Sequence, residues 1–168
     1  MNAVTERDVD ARDVERFLFH EARCLDDPDR WDEWVELFTD DGVYWIPYSR
    51  AEQDDLDMPS IVREDKVLLA VRFARLRHPD AWAQSPQTRA CRLVGNVMVD
   101  GRDAATGDLV VRSTFQMLEF RADKTIAYGG WAEHRLVEGG PAGWRIRRKR
   151  VDLISGDGVY EEIMQALP

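Results

Sequence analysis

Two spacings of apolar residues divide this chain near Thr88. Before Thr88 most apolar residues recur every three or four positions, and after it they alternate with polar residues. The first spacing predicts helices with one face toward a core, and the second predicts strands with one buried face. Helices followed by strands are typical of an α+β fold, in which the helices pack on one face of a curved, mainly antiparallel sheet.

Three helices are predicted from this spacing and from residues that begin or end helices. Asp27 and Pro28 form an N-cap followed by proline at the first helical position, which predicts the start of the second helix. His78 precedes Pro79, and the residue before a proline avoids the α conformation, so the third helix is expected to end there. The predicted helices span about residues 8–26, 28–39 and 64–77.

Five strands are predicted from the alternation and from turn residues. The first strand, VYWIPY, is rich in aromatic and β-branched residues, and a polar loop of functional length is expected after it at 49–62. Short turns, among them Ala122-Asp123, separate the last four strands and predict an antiparallel meander. The predicted strands span about residues 43–48, 88–100, 108–121, 124–137 and 143–154.

The last predicted strand changes its alternation partway along. Trp144 and Ile146 share one face, whereas Val151 and Leu153 have the opposite parity. One extra residue in the strand would produce this change, so the pattern predicts a β-bulge at 147–149.

Length and composition place the chain among ordinary soluble globular proteins. Its 168 residues, 44% hydrophobic and 33% charged, fit one domain over residues 1–168. No apolar run reaches the roughly 18 residues of a membrane span, and the N-terminal stretch lacks the apolar segment of a secretion signal. We therefore expect a cytoplasmic protein in which Cys24 and Cys91 are reduced thiols.

The net charge of −9 is concentrated near the N-terminus. Residues 1–41 contain 14 acidic residues and 5 arginines, whereas residues 42–168 contain 18 acidic and 18 basic residues. This balance argues against a nucleic-acid partner, which requires a basic face. We expect the acidic region to pair with the basic cluster RIRRKR at 145–150, within or between copies. The stretch RWDEWVELF predicts aromatic surface suited to a protein interface.

The pentapeptide HEARC at 20–24 shares part of the zinc-protease pattern H-E-x-x-H, with Cys24 in place of the second histidine. A tightly bound metal needs three or four convergent ligands, and no nearby residue pair completes zinc, Rieske or facial-triad spacing. We expect no metal site here, with His20 in solvent and Cys24 packed as a small hydrophobic residue.

Glu21 lies inside the apolar stripe of the first helix, where an acid is costly unless it is paired. One hypothesis makes it a catalytic acid or base in a pocket. The other, which we favour, is that an arginine of the 145–150 cluster holds its carboxylate and fixes helix to sheet. If a curved sheet enclosed a catalytic pocket, Asp41, Tyr44 and His134 are the polar groups that would serve it.

Long stretches of the chain resemble a known family. FLFHEARCLDDPDRWDEWVELFTDDGVYWIP resembles the opening of the small (β) subunit of bacterial aromatic-ring-hydroxylating dioxygenases, and TRACRLVGNV and WRIRRKRVDL resemble later segments in the same order. The resemblance covers nearly the whole chain. It departs from many relatives at Arg89-Ala90-Cys91 and at Val94-Gly95-Asn96, which loosens assignment to a substrate branch.

The resemblance implies a nuclear-transport-factor-like cone and a non-catalytic, structural role with no cofactor in this chain. It also implies a large (α) subunit that carries a Rieske [2Fe-2S] cluster and a mononuclear non-heme iron, in an assembly of three large and three small subunits. A reductase, often with a ferredoxin, would deliver NADH electrons for dihydroxylation of an aromatic ring by O2.

Two hypotheses therefore stand side by side. The first is the structural small subunit, and the second is a free-standing enzyme on the same fold, similar to scytalone dehydratase or ketosteroid isomerase. For the first, the candidates for structural or interface roles are Glu21, Asp26, Trp31, Trp34, Asp41, Arg147, Arg148 and Arg150.

Overall fold

A computed structural model describes residues 9–52, 56, 59–158 and 163–168. These residues form three α-helices, two single-turn 3-10 helices at 28–30 and 82–84, and six strands. The helices are α1 (Ala11–Asp26), α2 (Trp31–Glu36) and α3 (Lys66–Leu76). The strands are β1 (Phe38–Pro47), β2 (Ser60–Asp65), β3 (Arg89–Arg102), β4 (Leu109–Arg121), β5 (Lys124–Glu138) and β6 (Trp144–Leu153).

The six strands form one sheet in the order β2-β1-β6-β5-β4-β3. All neighbours are antiparallel except β1 and β6, which run parallel. Helix α1 packs against β3, and α3 packs against β1. The predicted α+β class is confirmed, as is the meander of the last four strands. That residues 1–168 make one domain stays a prediction.

The core lies between the helices and the sheet because each element has one apolar face. In α1 the buried residues recur at helical spacing, and the Asp10 side chain caps the helix by accepting a hydrogen bond from the Arg12 N–H at 2.9 Å. The largest fully buried side chains are Trp34, Trp45, Tyr44, Phe17, Phe38, Leu18, Ile46, Leu69, Leu109, Met117, Leu136 and Ile146.

The second helix is shorter than its apolar pattern predicted. It ends at Glu36, and residues from Phe38 onward belong to β1, where the sequence predicted helix to 39. Phe38 pairs with Ile146, whose N–H donates to the Leu37 carbonyl at 2.8 Å. Pairing with a strand more than a hundred residues away therefore overrides the local helical spacing.

Strand β2 lies partly within the stretch predicted as a loop. Residues Ser60–Asp65 pair with β1, so the prediction of an irregular loop over all of 49–62 is wrong from Ser60 onward. Asp65 then caps α3 by accepting from the Leu68 N–H at 2.9 Å, which moves the start of that helix to Lys66.

The predicted β-bulge in β6 is confirmed. Arg148 pairs with Arg135 and Ile146 pairs with Leu136, which leaves Arg147 as the extra residue. Beyond this bulge Lys149, Val151 and Leu153 are the buried positions. The bulge therefore decides which of the basic side chains in β6 enters the core.

Within the described part of the chain, no helix combines the length and apolar character needed to cross a membrane. Cys24 and Cys91 are both free thiols, the first buried and the second exposed.

Candidate functional site

Glu21 is the centre of a buried polar network inside the fold. Its side chain projects from α1, and only 3% of the residue is exposed. One carboxylate oxygen accepts hydrogen bonds from Lys149 Nζ at 2.9 Å and from Trp34 Nε1 at 3.2 Å. The other oxygen lies 2.9 Å from His134 Nε2, which is the donor when the carboxylate is ionised. Helix α2 and strands β5 and β6 therefore each direct one hydrogen-bonding side chain at Glu21 of α1.

The electrostatics of the network keep Glu21 ionised. Burial would raise the pKa of Glu21, but the charges and hydrogen bonds of Lys149 and His134 outweigh burial and hold the pKa below its usual range. Burial lowers the pKa of Lys149 more than the neighbouring carboxylate raises it. An ionised carboxylate with three donors has no proton to give, so Glu21 does not act as a raised-pKa acid.

The expectation that an arginine holds Glu21 is wrong, although the partner does come from the predicted basic cluster. Lys149 is the partner because the bulge at Arg147 gives it the inward parity of Val151. The parity change was visible in the sequence, and following it from Val151 back by two residues would have identified Lys149. His134 has Glu21 as the partner of its Nε2, while its buried Nδ1 has no hydrogen-bond partner among the described residues.

A second ion pair closes the same end of the interior. Asp26 at the end of α1 forms an ion pair with the guanidinium of the buried Arg92 of β3. The main-chain N–H of Arg92 also donates to the Asp26 carboxylate, at 3.1 Å. Burial lowers the pKa of Arg92 despite this carboxylate. The Arg92 guanidinium also donates to the carbonyl of Leu167. Asp26, proposed from sequence for a structural role, thus helps to hold the segment 163–168.

Residues 165–168 contact buried side chains of the interior. The buried Tyr44 hydroxyl donates to the Pro168 main-chain oxygen at 2.6 Å. The buried Glu119 carboxylate accepts from the N–H groups of Gln165 and Ala166 at 3.0 and 2.7 Å. No sequence signal local to these residues indicated the contact, because the partners are more than forty positions apart.

Little empty space remains beside Glu21. The cavity bordered by Glu21, His134, Lys149 and Pro168 has a volume of about 20 Å³. That is close to the space one water molecule needs, and far below the roughly 300 Å³ at which small-molecule pockets begin. This cavity therefore has no room for an aromatic substrate.

The three residues nominated for a catalytic pocket are not brought together. His134 borders the small cavity, but Asp41 lies on the surface with 72% of its side chain exposed. Burial raises the pKa of Tyr44, so its hydroxyl stays protonated. Asp41 instead borders an outer groove of about 450 Å³ with Arg147 and Arg148.

The arginines of β6 point away from the Glu21 network. Arg147 donates to Asp108 at 2.8 Å and lies 3.7 Å from Asp41. Arg148 and Arg150 both cover the ring of Trp45, at 4.7 and 4.6 Å from its centroid. The predicted pairing of the acidic N-terminal region with the basic cluster is thus present within the chain at two places, Glu21–Lys149 and Asp41–Arg147.

Arg150 also fastens the segment that follows β1. Its guanidinium donates to the carbonyls of Glu52 and Arg50 at 2.6 and 3.0 Å, and to the Asp152 carboxylate at 2.7 Å. These contacts suit a structural role for Arg150.

The tryptophan-rich stretch does not provide the predicted aromatic surface. Trp34 and Phe38 are fully buried, and Trp31 stacks at 4.8 Å on Phe73 while its N–H donates to the Leu25 carbonyl. The prediction was wrong because helix and strand in this stretch both face the core. Exposed apolar side chains lie elsewhere: on α3 and the turn after it (Val67, Leu68, Val71 and Trp82), and on the outer face of the sheet (Leu93, Met98, Leu118 and Trp131).

His20 and Cys24, the first and last residues of HEARC, lie on a different face of α1 from Glu21. Cys24 is fully buried, as expected, and burial raises the pKa of its thiol to about 11. His20 has 31% of its side chain exposed, and its Nε2 lies 3.1 Å from Glu33 Oε1 of α2. His20 is therefore not simply solvated, as the sequence suggested, but has a partner on the next helix.

Together these features define a class of protein. It has a curved sheet covered by helices, a filled interior and apolar patches on the outside. The family model described as "Ring hydroxylating beta subunit" matches residues 20–156. The chain belongs to this family of β subunits of ring-hydroxylating oxygenases.

Individual relatives agree with the family. The chain is 28% identical to the benzoate 1,2-dioxygenase subunit beta of Acinetobacter baylyi, over 80% of this chain and 81% of the relative. It is 32% identical to the small oxygenase component of the p-cumate 2,3-dioxygenase system of Pseudomonas putida, over 76% and 71%. It is 38% identical to the N,N-dimethyl phenylurea N-demethylase subunit beta of a Sphingobium species, over 64% and 62%.

Solved structures agree on the fold. The β subunit of benzoate 1,2-dioxygenase from Burkholderia mallei superposes with a TM-score of 0.72 and 25% identity, covering 94% of this chain and 99% of that one. A naphthalene 1,2-dioxygenase structure gives a TM-score of 0.79 at 18% identity, covering 96% of this chain and 88% of that one. The nuclear-transport-factor-like architecture implied by the sequence resemblance is confirmed.

Proposed function

We propose that this chain is a non-catalytic, structural small subunit of a multicomponent oxygenase that dihydroxylates an aromatic compound with O2 and NADH-derived electrons. In this proposal the large subunit carries the Rieske [2Fe-2S] cluster and the mononuclear iron, and three large and three small subunits assemble. A ferredoxin and a reductase supply electrons to the assembly. The location in the cytoplasm stays a prediction.

The observation that carries this proposal is the filled interior. The residues that would form a catalytic pocket are divided between a cavity of about 20 Å³ and an outer groove, so an enzyme of the dehydratase or isomerase type is disfavoured. Membership in a family of oxygenase β subunits supports the subunit role.

The exposed apolar patches also support a subunit role. On α3, Val67 is 70% exposed, and on the outer face of the sheet Leu93 is 71% exposed. Apolar side chains grouped on a surface are stabilised when a partner covers them. We assign these two patches to contacts with the large subunit and with other copies of this chain.

Co-purification tests the proposal. The full chain is co-expressed with its cognate large subunit, only the large subunit being tagged, and we expect the two to elute together with iron in proportion to the large subunit. The substitutions Leu93→Asp and Val67→Asp place a charge in each patch, and at least one should reduce the small subunit recovered. Ala104→Asp, in the exposed turn between β3 and β4 and outside both patches, is the matched control.

Two outcomes would contradict the proposal. One is failure of the chain to co-elute with the large subunit although each is folded by circular dichroism. The other is stoichiometric iron in the chain purified without a partner.

A second candidate reaction is oxidative N-demethylation. The N-demethylase β subunit shares 38% identity with this chain, against 28% and 32% for the two dioxygenase relatives described above. Product analysis separates the candidates: the assembled complex is supplied with an aromatic acid or with an N-methyl phenylurea. A cis-diol from the first supports dihydroxylation, whereas formaldehyde from the second supports demethylation.

A further inference from the structure

Three donor side chains of different chemistry converge where α1 meets α2. His20 and Cys24 are one helical turn apart on α1, and Glu33 faces them from α2. Cys24 Sγ lies 3.8 Å from His20 Nε2, and His20 Nε2 lies 3.1 Å from Glu33 Oε1. All three donor atoms lie within 4.8 Å of one another. We call these residues the His20–Cys24–Glu33 cluster.

The separations in this cluster are close to those around a tetrahedral zinc ion. With Zn–S of about 2.3 Å and Zn–N or Zn–O of about 2.0–2.2 Å, two ligand atoms on a tetrahedral centre lie about 3.3–3.7 Å apart. The His20–Cys24 and His20–Glu33 distances differ from that range by about 0.2 Å or less. The Glu33 side chain is 45% exposed, and a shift toward the Cys24 sulfur requires Oε1 to leave Arg30 Nη2, which lies 3.0 Å away.

The surroundings favour a cation that keeps one open position. His20 and Glu33 border an outer groove of about 790 Å³, while Cys24 closes the site from the buried side. Three protein ligands with solvent at the fourth position form an open zinc site. Acidic side chains outnumber basic ones in the lining of this groove, where Asp13, Glu36 and Glu138 accompany Arg16. The excess of negative charge favours a cation.

Arg30 holds the carboxylate in place. Its Nε donates to Glu33 Oε2 at 2.9 Å and its Nη2 donates to Oε1 at 3.0 Å, while Oε1 also lies 3.1 Å from His20 Nε2. A zinc ion on Oε1 would replace the Nη2 hydrogen bond and leave the one to Oε2. Arg30 Nη2 also lies 3.5 Å from His20 Nδ1. A zinc ion on His20 Nε2 would leave the ring proton on Nδ1. Two donors would then face each other, so the distance between Arg30 Nη2 and His20 Nδ1 must increase when the ion binds.

We propose that His20, Cys24 and Glu33 bind one zinc ion, which bridges α1 and α2. The sequence argued against a metal at HEARC because the helix offered only two ligands. The third ligand comes from the next helix, at a distance in sequence that no H-x-x-x-C pattern specifies. Mixed nitrogen, sulfur and oxygen donors match the borderline-soft character of Zn²⁺ better than that of Mg²⁺ or Ca²⁺. The proposal does not depend on the oxygenase role.

Competition for zinc tests the site directly. The full chain, freed of metal with a chelator, is titrated with Zn²⁺ in the presence of a chromophoric chelator. We expect one equivalent per chain, with affinity at least about tenfold weaker in His20→Ala and in Glu33→Gln. His78→Ala and Cys91→Ser change exposed residues outside the cluster and should leave the affinity unchanged. Zinc should also raise the melting temperature of the wild-type chain but not that of His20→Ala.

Cobalt substitution tests whether the sulfur is a ligand. Co²⁺ bound at the site should give a thiolate-to-cobalt charge-transfer band that Cys24→Ala loses and Cys91→Ser keeps. Absence of stoichiometric zinc, affinity that survives both His20→Ala and Glu33→Gln, or a cobalt spectrum without this band would overturn the proposal. A chain that co-purifies with its large subunit but binds no zinc would refute the zinc site and leave the proposed function standing.

Discussion

Two ion pairs of β6, two residues apart in sequence, show how differently the same chemistry acts in two places. Lys149 meets Glu21 inside the fold, where their side chains are 7% and 4% exposed. Arg147 meets Asp41 at the rim, where theirs are 37% and 72% exposed. The interior pair has lost its hydration and depends on its partners, whereas the rim pair remains in water.

The interior pair is therefore expected to be required for stability, whereas the rim pair is expected to contribute little to it. Removing one member of a buried pair leaves an uncompensated charge, but removing one member of an exposed pair leaves a hydrated one. Stability measurements on variants of the two pairs test whether burial accounts for this difference.

The largest effect is expected from Lys149→Met. Methionine keeps the unbranched apolar stem but leaves the Glu21 carboxylate buried without its cationic partner, which costs about 3–5 kcal/mol in the free energy of unfolding. Urea denaturation followed by circular dichroism measures this loss. The double variant Glu21→Leu/Lys149→Met should recover part of it, because no unpaired charge then remains in the Glu21 network, although Trp34 and His134 lose their acceptor. A loss below about 1 kcal/mol in Lys149→Met would show that the interior pair is no more important than a surface pair.

A smaller effect is expected on the acid side of the stability profile. The pKa of folded Glu21 lies below its ordinary value of 4.5, so its contribution is fully present above pH 4.5 and is lost as pH falls toward the folded-state pKa. One proton taken up on unfolding gives a slope of up to about 1.4 kcal/mol per pH unit. The variant Glu21→Gln should therefore lose stability less steeply below pH 4.5 than the wild type does.

The matched control for the pH measurement is Asp41→Asn. The hydrogen bond from Thr39 lowers the pKa of Asp41, but the side chain is largely exposed. Below pH 4.5 the free energy of unfolding of Asp41→Asn should fall with pH about as steeply as that of the wild type. Equal slopes for Glu21→Gln and wild type would contradict a lowered pKa at Glu21.

The smallest effect is expected from Asp41→Asn at the rim. Its contact with Arg147 lies in solvent, so the substitution should cost about 1 kcal/mol or less in the free energy of unfolding. Arg147 itself is kept, because its other partner, Asp108, is buried and would lose its cation. Added salt should weaken the wild-type chain toward the variant, since exposed pairs are screened. A cost as large as that of Lys149→Met would mean that burial does not account for the difference between the two pairs.

Much of the architecture followed from local patterns. The spacing around Phe17 and Leu18 predicted α1, and the alternation after Thr88 predicted four strands in meander order. The parity change around Arg147 predicted the bulge. These features were predictable because each depends on the periodicity of a few neighbouring side chains.

The predictions that proved wrong share a different cause. The second helix ended early, and β2 formed in a predicted loop, because strand pairing competes with local preference. The contacts of Tyr44 and Arg92 with the segment 163–168 have no local signature at all.

From the order of residues alone we could infer the α+β class, the family resemblance, the bulge in β6 and the need for a partner at Glu21. The three-dimensional structure was needed to show that this partner is Lys149, 128 positions away, and that Glu33 completes a cluster with His20 and Cys24. Periodicity shows which face of an element is buried. Strand register and helix packing decide which side chains from distant elements meet on that face.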